Sequence, residues 1–600
     1  MNDLELLRKY EPIACFTKGE AFFPSAVDEY VKECSLWMTD PQGEEKMLVP
    51  HGQLDLARLA EYEEIPADHM IHLRFVERPL ESPEYQRWLR DPNRDRFEAP
   101  GRLARVPLIF RLADSFFDLS FFVRGQVPGG QAAAADIKCR AIEKRDPRQV
   151  YYGRVVRSGG WIALQYLFFF PMNNWRSGFF GANDHEADWE QVFVFLTDPE
   201  IGEPEPRWAA YASHDFKGDD LRRRWDDPLL VRDGNHPVIF AGAGSHASYF
   251  EQGEYLMGAE PAFLKPVKGI INWLREFWYE TLGMGSGVAV QQGSRAMLRV
   301  PFIDYARGDG RRIGPDQDAQ WSPEIVSDEI DWVHRYRGLW GLDTHDPFGG
   351  ERAPAGPKYN RNGTVRQSWY DPIGWAGLDK VIPADELASD LEERLETVKA
   401  EIQALTTEIE TQQDELREQY LDVEALKVTE YFGALRKIKV DELKQAQGAL
   451  QDSQVRKTEL VEIRQALESY NQRVARGDWG SPTAHLHHVH HPEPPLPQQH
   501  RVVEIWAALS GALILLGIVL LLIFRPGNWL IWLVGLGVVM GGVENLVRRN
   551  LVNYLLTIII ILAVIAAIIL VVEFWEWILV LLLVGVVIFI IRGNLQELRR

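Results

Sequence analysis

Cysteine is scarce, with three in 600 residues: Cys15, Cys34 and Cys139. So few thiols make no disulfide framework and fit a reducing compartment. The first residues, Met1-Asn2-Asp3-Leu4-Glu5, lack the basic stretch and apolar core of a secretory signal peptide. Basic charge is also in deficit, 65 Lys and Arg against 86 Asp and Glu, for a formal net charge of −21. Binding to nucleic acid needs a basic face that neutralises phosphates, which excludes nucleic acid as a main partner. Proline is missing from Ala384 to Tyr470, and apolar residues are concentrated at the C-terminal end.

What is present divides the chain into four parts, as a length well above the roughly 100–200 residues of one domain leads one to expect. Residues 1–383 read as a mainly β, sandwich-like domain. Strand-like runs at Ile71–Val76, Val106–Leu112, Trp161–Phe170, Gln191–Leu196, Trp208–Ser213 and Pro237–Ala241 alternate with clusters of Gly, Pro, Asn and Asp. Leu54–Tyr62 has helical spacing. Pro261–Gly283 carries enough aromatics and aliphatics for a helix packed on the sandwich or lying in a membrane interface.

Residues 384–475 shift to Glu, Gln, Leu, Lys and Ala. Leu391, Leu395, Val398, Ile402, Leu405 and Ile409 follow the alternating spacing of a coiled-coil seam. The pattern falters at Tyr431-Phe432-Gly433, so a hairpin is expected, its arms reaching about 60 Å. Self-association through this coiled coil is a further expectation. Residues 476–500 form a Pro- and His-rich linker, and its run from His485 to His491 reads as a polar spacer or a transition-metal tract.

Residues 501–600 hold four apolar stretches of roughly spanning length: Ile505–Phe524, Trp529–Val543, Leu551–Val572 and Phe574–Ile591. Their Trp residues sit near the ends, as in an aromatic belt. Arg501, Arg548, Arg549, Arg592, Arg599 and Arg600 fall on one side of a four-span arrangement, and only Arg525 on the other. The positive-inside rule then puts the N-terminal region and the C-terminus in the cytoplasm. Glu544 is the chief ionisable group within the spans, which suits an anchor better than a transporter.

Chemistry concentrates in Asn183-Asp184-His185-Glu186-Ala187-Asp188-Trp189-Glu190, where the chain enters the apolar run Gln191–Leu196. Residues two apart on a strand share a face, so Asp188 and Glu190 project together and His185 can swing over the same spot. One imidazole and two carboxylates suit a divalent cation; solvated acids on a surface turn are the plain alternative. Two more histidines follow strand-like runs, His214 in Ser213-His214-Asp215 and His246 in Gly244-Ser245-His246-Ala247. Either is a candidate proton carrier, or a histidine satisfying a local backbone group. Adjacent Ser and His rarely form a nucleophile pair, and no nucleophile elbow is present.

Four motifs carry a resemblance that spans residues 12–380: Phe16–Ser25, His185–Glu190, Ala243–Tyr249, and Arg337-Gly338-Leu339-Trp340-Gly341 with Gly356-Pro357-Lys358-Tyr359. With them the region resembles the vacuolar protein sorting-associated protein 62-like family and, more distantly, the necrosis-inducing cytolysins. The cytolysin resemblance implies a β-sandwich with a divalent-cation site, Ca²⁺ or Mg²⁺, in a G-H-R-H-D-W-E motif that assists binding of lipid sugar head groups. His185, Asp188 and Glu190 match that motif. Its second histidine is Ala187 here, and the family's upstream acid falls at Asn173, whose neutral amide weakens a cation site.

The resulting expectation is a multi-pass membrane protein. It presents a cytoplasmic, cation-assisted binding domain for a lipid head group, glycan or membrane-associated protein, in trafficking or membrane organisation. A metal-dependent hydrolase using the same site is the second expectation, and a structural tether the third.

Overall fold

The computed structural model describes residues 2–597 except 100–104, 116–128, 175–183, 199–201, 214–216, 260–299, 343–352, 495–500 and isolated positions elsewhere. The segment expected as a helix at Pro261–Gly283 lies outside the described residues, as does His214.

The strands in chain order are β1 (Ile13–Cys15), β2 (Ser35–Thr39), β3 (Glu45–Val49), β4 (Met70–Arg74), β5 (Tyr151–Ser158), β6 (Trp161–Asn173), β7 (His185–Thr197) and β8 (Pro206–Tyr211). They continue with β9 (Arg222–Arg224), β10 (Arg232–Asp233), β11 (His236–Ala241), β12 (Ser248–Tyr249), β13 (Gly253–Ala259), β14 (Val300–Ala306), β15 (Arg312–Ile313) and β16 (Glu324–Ile325). A six-stranded sheet runs β16-β5-β6-β7-β8-β9, and a second runs β10-β11-β1-β15 with β12 paired to β11. Between them Ile162, Leu164, Tyr166, Phe168, Val192, Val194 and Leu196 pack on Ala14, Ile239, Ala241 and Ile313. Two sheets enclosing an apolar layer make the sandwich that the alternating runs led one to expect.

The six-stranded sheet is covered on its other face as well. Leu167, Phe169 and Trp189 meet Ala132 and Ala135 of helix Gly130–Arg145, strand residues Leu36 and Leu73 of the small sheet β3-β2-β4, and the rings of Trp332 and Trp340. Every residue of β6 is therefore buried. That accounts for its largely apolar sequence, since a strand with both faces covered has little room for polar residues; the one polar residue in its middle, Gln165, donates to Gln191 Oε1 at 3.0 Å. Each aromatic side chain so enclosed contributes about 1.5–3 kcal/mol.

One expected strand is different. Val106–Leu112 is not in a sheet: Leu108, Arg111, Leu112 and Ser115 are helical, and this segment packs on the apolar C-terminal helices. A short apolar run suits a strand or a buried helix equally, and here tertiary packing decides.

Two long helices follow, Leu387–Ala425 and Gly433–Ala475. Leu387 and Leu391 at the start of the first pack on Leu467 and Val474 near the end of the second, so the pair is an antiparallel hairpin. The connection at 426–432 coincides with the faltering heptad at Tyr431-Phe432-Gly433.

The linker then runs back along the sandwich. His487 and His488 donate backbone N–H groups to Asp220 Oδ1 at 2.8 and 3.0 Å, the His488 ring meets Asp220 Oδ2 at 3.0 Å, and the His491 ring meets Glu251 at 2.8 Å. Among the described residues, no group of three or more His, Cys, Asp or Glu side chains that could hold a metal forms in this tract or elsewhere.

Among the described residues, three helices are long and apolar enough to cross a membrane: Val502–Phe524, Trp529–Val547 and Leu551–Gln596. The last has 46 residues, about twice what a hydrocarbon core of about 30 Å requires at about 1.5 Å per residue. It is interrupted at Phe574, whose φ of −113° and ψ of 19° are not helical. The two expected stretches on either side of residue 573 are thus one helix with a break.

The N-terminal region touches the first two of these helices. Arg111, only 3% exposed, donates from Nη1 to Ser510 Oγ at 2.6 Å, and its Nη2 lies 2.5 Å from Glu544 Oε1. Trp506 Nε1 donates to the other Glu544 oxygen at 2.6 Å, and Arg548 pairs with the same carboxylate. A buried carboxylate is costly unless paired, and here Arg111, from far upstream in the N-terminal region, shares in the pairing.

Candidate functional site

The site is built where β6 and β7 end side by side. Asn173 faces His185 and Phe170 faces Asp188 across the ladder, so His185 belongs to the strand and not to a turn before it. Between these pairs Pro171 has no N–H to donate, and Ala187 has a φ of +59°. The irregularity turns neighbouring side chains to opposite faces. Met172 joins the core on one side of the sheet, Phe170 the core on the other.

On the first face Glu186, fully buried, accepts from the backbone N–H groups of Phe75 and Val76, each at 2.8 Å, from Leu342 N at 3.2 Å and from Gln131 Nε2 at 3.2 Å. Burial still pushes its carboxyl above the usual range, outweighing those four donors. Gly341 lies so close to the Glu186 backbone that a Cβ would sit 2.2 Å from its carbonyl oxygen.

On the second face Asp188 Oδ2 accepts from Asn173 Nδ2 and from His246 Nδ1, both at 3.0 Å. The His246 ring stacks on Phe170 with centroids 3.8 Å apart and planes 4° from parallel. Its loop is brought there by Gly244, whose φ is +75° and where a Cβ would collide with Asn174 O at 1.9 Å. Asn174 N donates to Gly244 O at 2.9 Å, and Gly244 N donates to Glu20 Oε2 at 2.7 Å. His246 itself has a φ of +59°. Left-handed backbone at a residue other than glycine costs about 1–2 kcal/mol, and two such residues, Ala187 and His246, flank Asp188.

All four resembling motifs meet here. Glu20 of the first holds Gly244 of the third, and Glu186 of the second holds Gly341 and Leu342 at the fourth. Glu20 and Glu186 had no assigned role in the sequence reading, because each binds backbone amides far away in the chain. The signal for them is an acid embedded in apolar surroundings, as in Gly19-Glu20-Ala21-Phe22.

Among the described residues, three polar atoms at this end of the sheet are buried without a hydrogen-bond partner: Asn173 Oδ1, Asn174 Oδ1 and His246 Nε2. With the His246 proton on Nδ1, donated to Asp188, Nε2 is an acceptor, so all three lack a donor among the described residues. His185 Nδ1 donates to Ala187 O at 2.7 Å, which leaves its Nε2 as a lone-pair donor, the way metal-binding histidines are oriented. This donor chemistry fits a hard cation or its waters. Among the described residues, however, His185, Asp188 and Glu190 do not gather as a three-ligand set. The groups that accompany Asp188 are an amide and an imidazole.

Arg366 is close enough to Glu190 and Asp188 to feel both: burial pulls its guanidinium below the usual value, and the two carboxylates oppose that. Ser245 donates to Asp304 Oδ1 at 2.6 Å and is not paired with His246.

The model of the necrosis inducing protein family, NPP1, matches residues 123–241, which hold β5 to β11 of the sandwich. The match includes Asn173, His185, Asp188 and Glu190 and stops before His246. Two solved structures are similar to a part of this chain. The crystal structure of the non-toxic HaNLP3 protein shares 24% identity over 16% of this chain and 40% of that chain, with a TM-score of 0.13. The crystal structure of Necrosis and Ethylene inducing Protein 2, from the causal agent of cocoa's Witches Broom disease, shares 22% over 17% and 44%, with a TM-score of 0.14. The chain thus spans less than half the length of either. No curated protein matches it by sequence. The vacuolar protein sorting-associated resemblance is carried by the quoted motifs alone.

Proposed function

We propose that this chain is a multi-pass membrane protein whose N-terminal domain binds a lipid head group, glycan or membrane-associated protein at the Asp188 end of the sandwich. A divalent cation, Ca²⁺ or Mg²⁺, assists by polarising a ligand oxygen, and His185, Asp188, Glu190 and Asn173 would hold it. The observation that carries this reading is the trio of buried, unpartnered acceptors beside Asp188. A buried acceptor left without a donor is costly, and a donor or a cation beside it relieves that cost. The role follows from the architecture, binding at a membrane surface in trafficking or membrane organisation, as the vacuolar protein sorting-associated resemblance implies.

In this reading the domain faces the cytoplasm; supporting it, Arg111 meets Glu544 one turn from Arg548, at the end of the apolar helices where basic residues collect. The third apolar helix crosses twice, turning at Phe574. Glu573, Trp575, Glu576 and Trp577 then lie at an interface, where a single crossing would bury them at its centre. Self-association uses the stalk tip, since the hairpin consumes the seam while Tyr431 is left 93% exposed and Val428 82% exposed.

The hydrolase reading has one observation in favour, the Asp188 carboxylate orienting His246. His246 is sealed beneath Phe170, so binding is the stronger reading; His214 would be the other proton carrier. The test is an array of lipid head groups and glycans probed with the full chain in Ca²⁺ and in EDTA. Capture that requires the ion and is lost in Asp188→Ala supports the proposal; capture indifferent to both refutes it.

A further inference from the structure

A cavity of about 640 Å³ opens where the edge of the sandwich, the base of the stalk and the first residues of the linker meet. That volume lies within the roughly 300–1,000 Å³ of small-molecule sites, which favour such junctions between domains. The charged groups around it neutralise one another. Arg207 lies 2.9 Å from Glu205, Arg222 and Lys380 share Asp219 at 2.5 and 2.6 Å, and Arg224 pairs with Asp226. His485 donates from Nε2 to the Arg222 carbonyl at 3.1 Å. Burial, joined by the charges of Arg222 and Arg223, pulls its ring below the usual value, so it too is neutral.

The rest of the lining is apolar and comes from all three parts. Leu387 and Leu391 of the first stalk helix and Leu467 of the second form an aliphatic wall. Tyr470 of the second stalk helix and Trp479 of the linker add aromatic rings, 38% and 40% exposed. Among the described residues neither ring has an aromatic neighbour, whereas Trp208 at the same cavity is covered by Arg222 and His485. Large side chains left open around one hollow mark a binding surface more than single exposed residues do. Rings without ring partners favour an aromatic or otherwise flat occupant. A charged ligand would meet cations and anions already paired with each other, and a sugar would set its hydroxyl groups against the leucines.

We propose that this cavity binds an uncharged, largely apolar ring compound, held against Tyr470 and Trp479 with Leu387, Leu391 and Leu467 behind it. Bound there, the ligand touches sandwich, stalk and linker together and fixes the stalk against the domain. The site is separate from the Asp188 site and stands or falls independently of it.

The experiment uses the full chain in phosphatidylcholine nanodiscs, with N-phenylnaphthylamine as the probe and its fluorescence above that of empty discs as the signal. Saturable binding of one probe per chain is expected, unchanged in EDTA. Anilinonaphthalene sulfonate, the same rings carrying a negative charge, should bind about tenfold more weakly. Trp479→Ala, at a half-exposed ring, should weaken binding several-fold. Ser481→Trp, which fills the cavity from an exposed position, should abolish it. Phenanthrene should displace the probe, and dodecanol, an uncharged chain without rings, should do so about tenfold less readily. A signal equal to that of empty discs, binding without saturation, equal binding of the sulfonate, equal displacement by dodecanol, or two unaffected variants overturns the proposal.

Discussion

At Asp188 two donors, the Asn173 amide and the His246 ring, satisfy one carboxylate oxygen, while the amide's own oxygen has no partner among the described residues. Asn173→Asp removes the donated hydrogen bond and sets a second carboxylate against the first. Without a cation this should cost about 1–3 kcal/mol. With Ca²⁺ the added charge should tighten binding about tenfold, about 1.4 kcal/mol. Melting curves in EDTA and in Ca²⁺ check both halves: the variant should melt below the native chain in EDTA and gain more from the ion. Glu186 gives a pH dependence of known sign. Its carboxyl is raised in the fold, so the folded chain holds the proton more tightly than the unfolded one. Stability contributed by the protonated form is therefore lost as pH rises from the ordinary carboxylate value through the raised one. Denaturant midpoints of the native chain and Glu186→Gln over that range should show the excess slope in the native chain alone.

Among the elements, the linker is held by carboxylates that read as surface acids in the sequence. Burial works to raise the Asp220 carboxyl, but the N–H groups of His488 and His487 and the His488 ring bring it below its usual value. Asp220→Ala should release the strap at a cost of about 1–3 kcal/mol, seen as faster proteolysis between residues 476 and 494 with the sandwich intact. The stalk carries its own test. Tyr431→Glu changes an exposed side chain, so folding stability should move by no more than about 0.5 kcal/mol. Self-association measured by light scattering should fall; an unchanged mass would rule the tip out as the contact.

For the whole molecule, much of the architecture was legible because its patterns are local. β6 and β7 are runs of aromatic and β-branched residues, and the stalk is a heptad with an evident interruption. The C-terminal helices are long and apolar. What escaped depends on distance. β1 is three residues long and gains its place only by pairing with β11 and β15. The Val106–Leu112 run becomes helical because Arg111 must reach Glu544. In the candidate site, Asp188 and its neighbours were legible as a cluster of types. That Glu186 would turn away to bind the Phe75 and Val76 amides was not, since the reversal lies in one backbone angle at Ala187.

The most direct measurement is calorimetric titration of Ca²⁺ into the full chain, repeated with Asp188→Ala. One saturable site per chain is expected in the native protein, with stabilisation of about 2.7 kcal/mol at a hundredfold excess over the dissociation constant, and none in the variant. No binding, or equal binding by both, would contradict a cation-assisted site at Asp188.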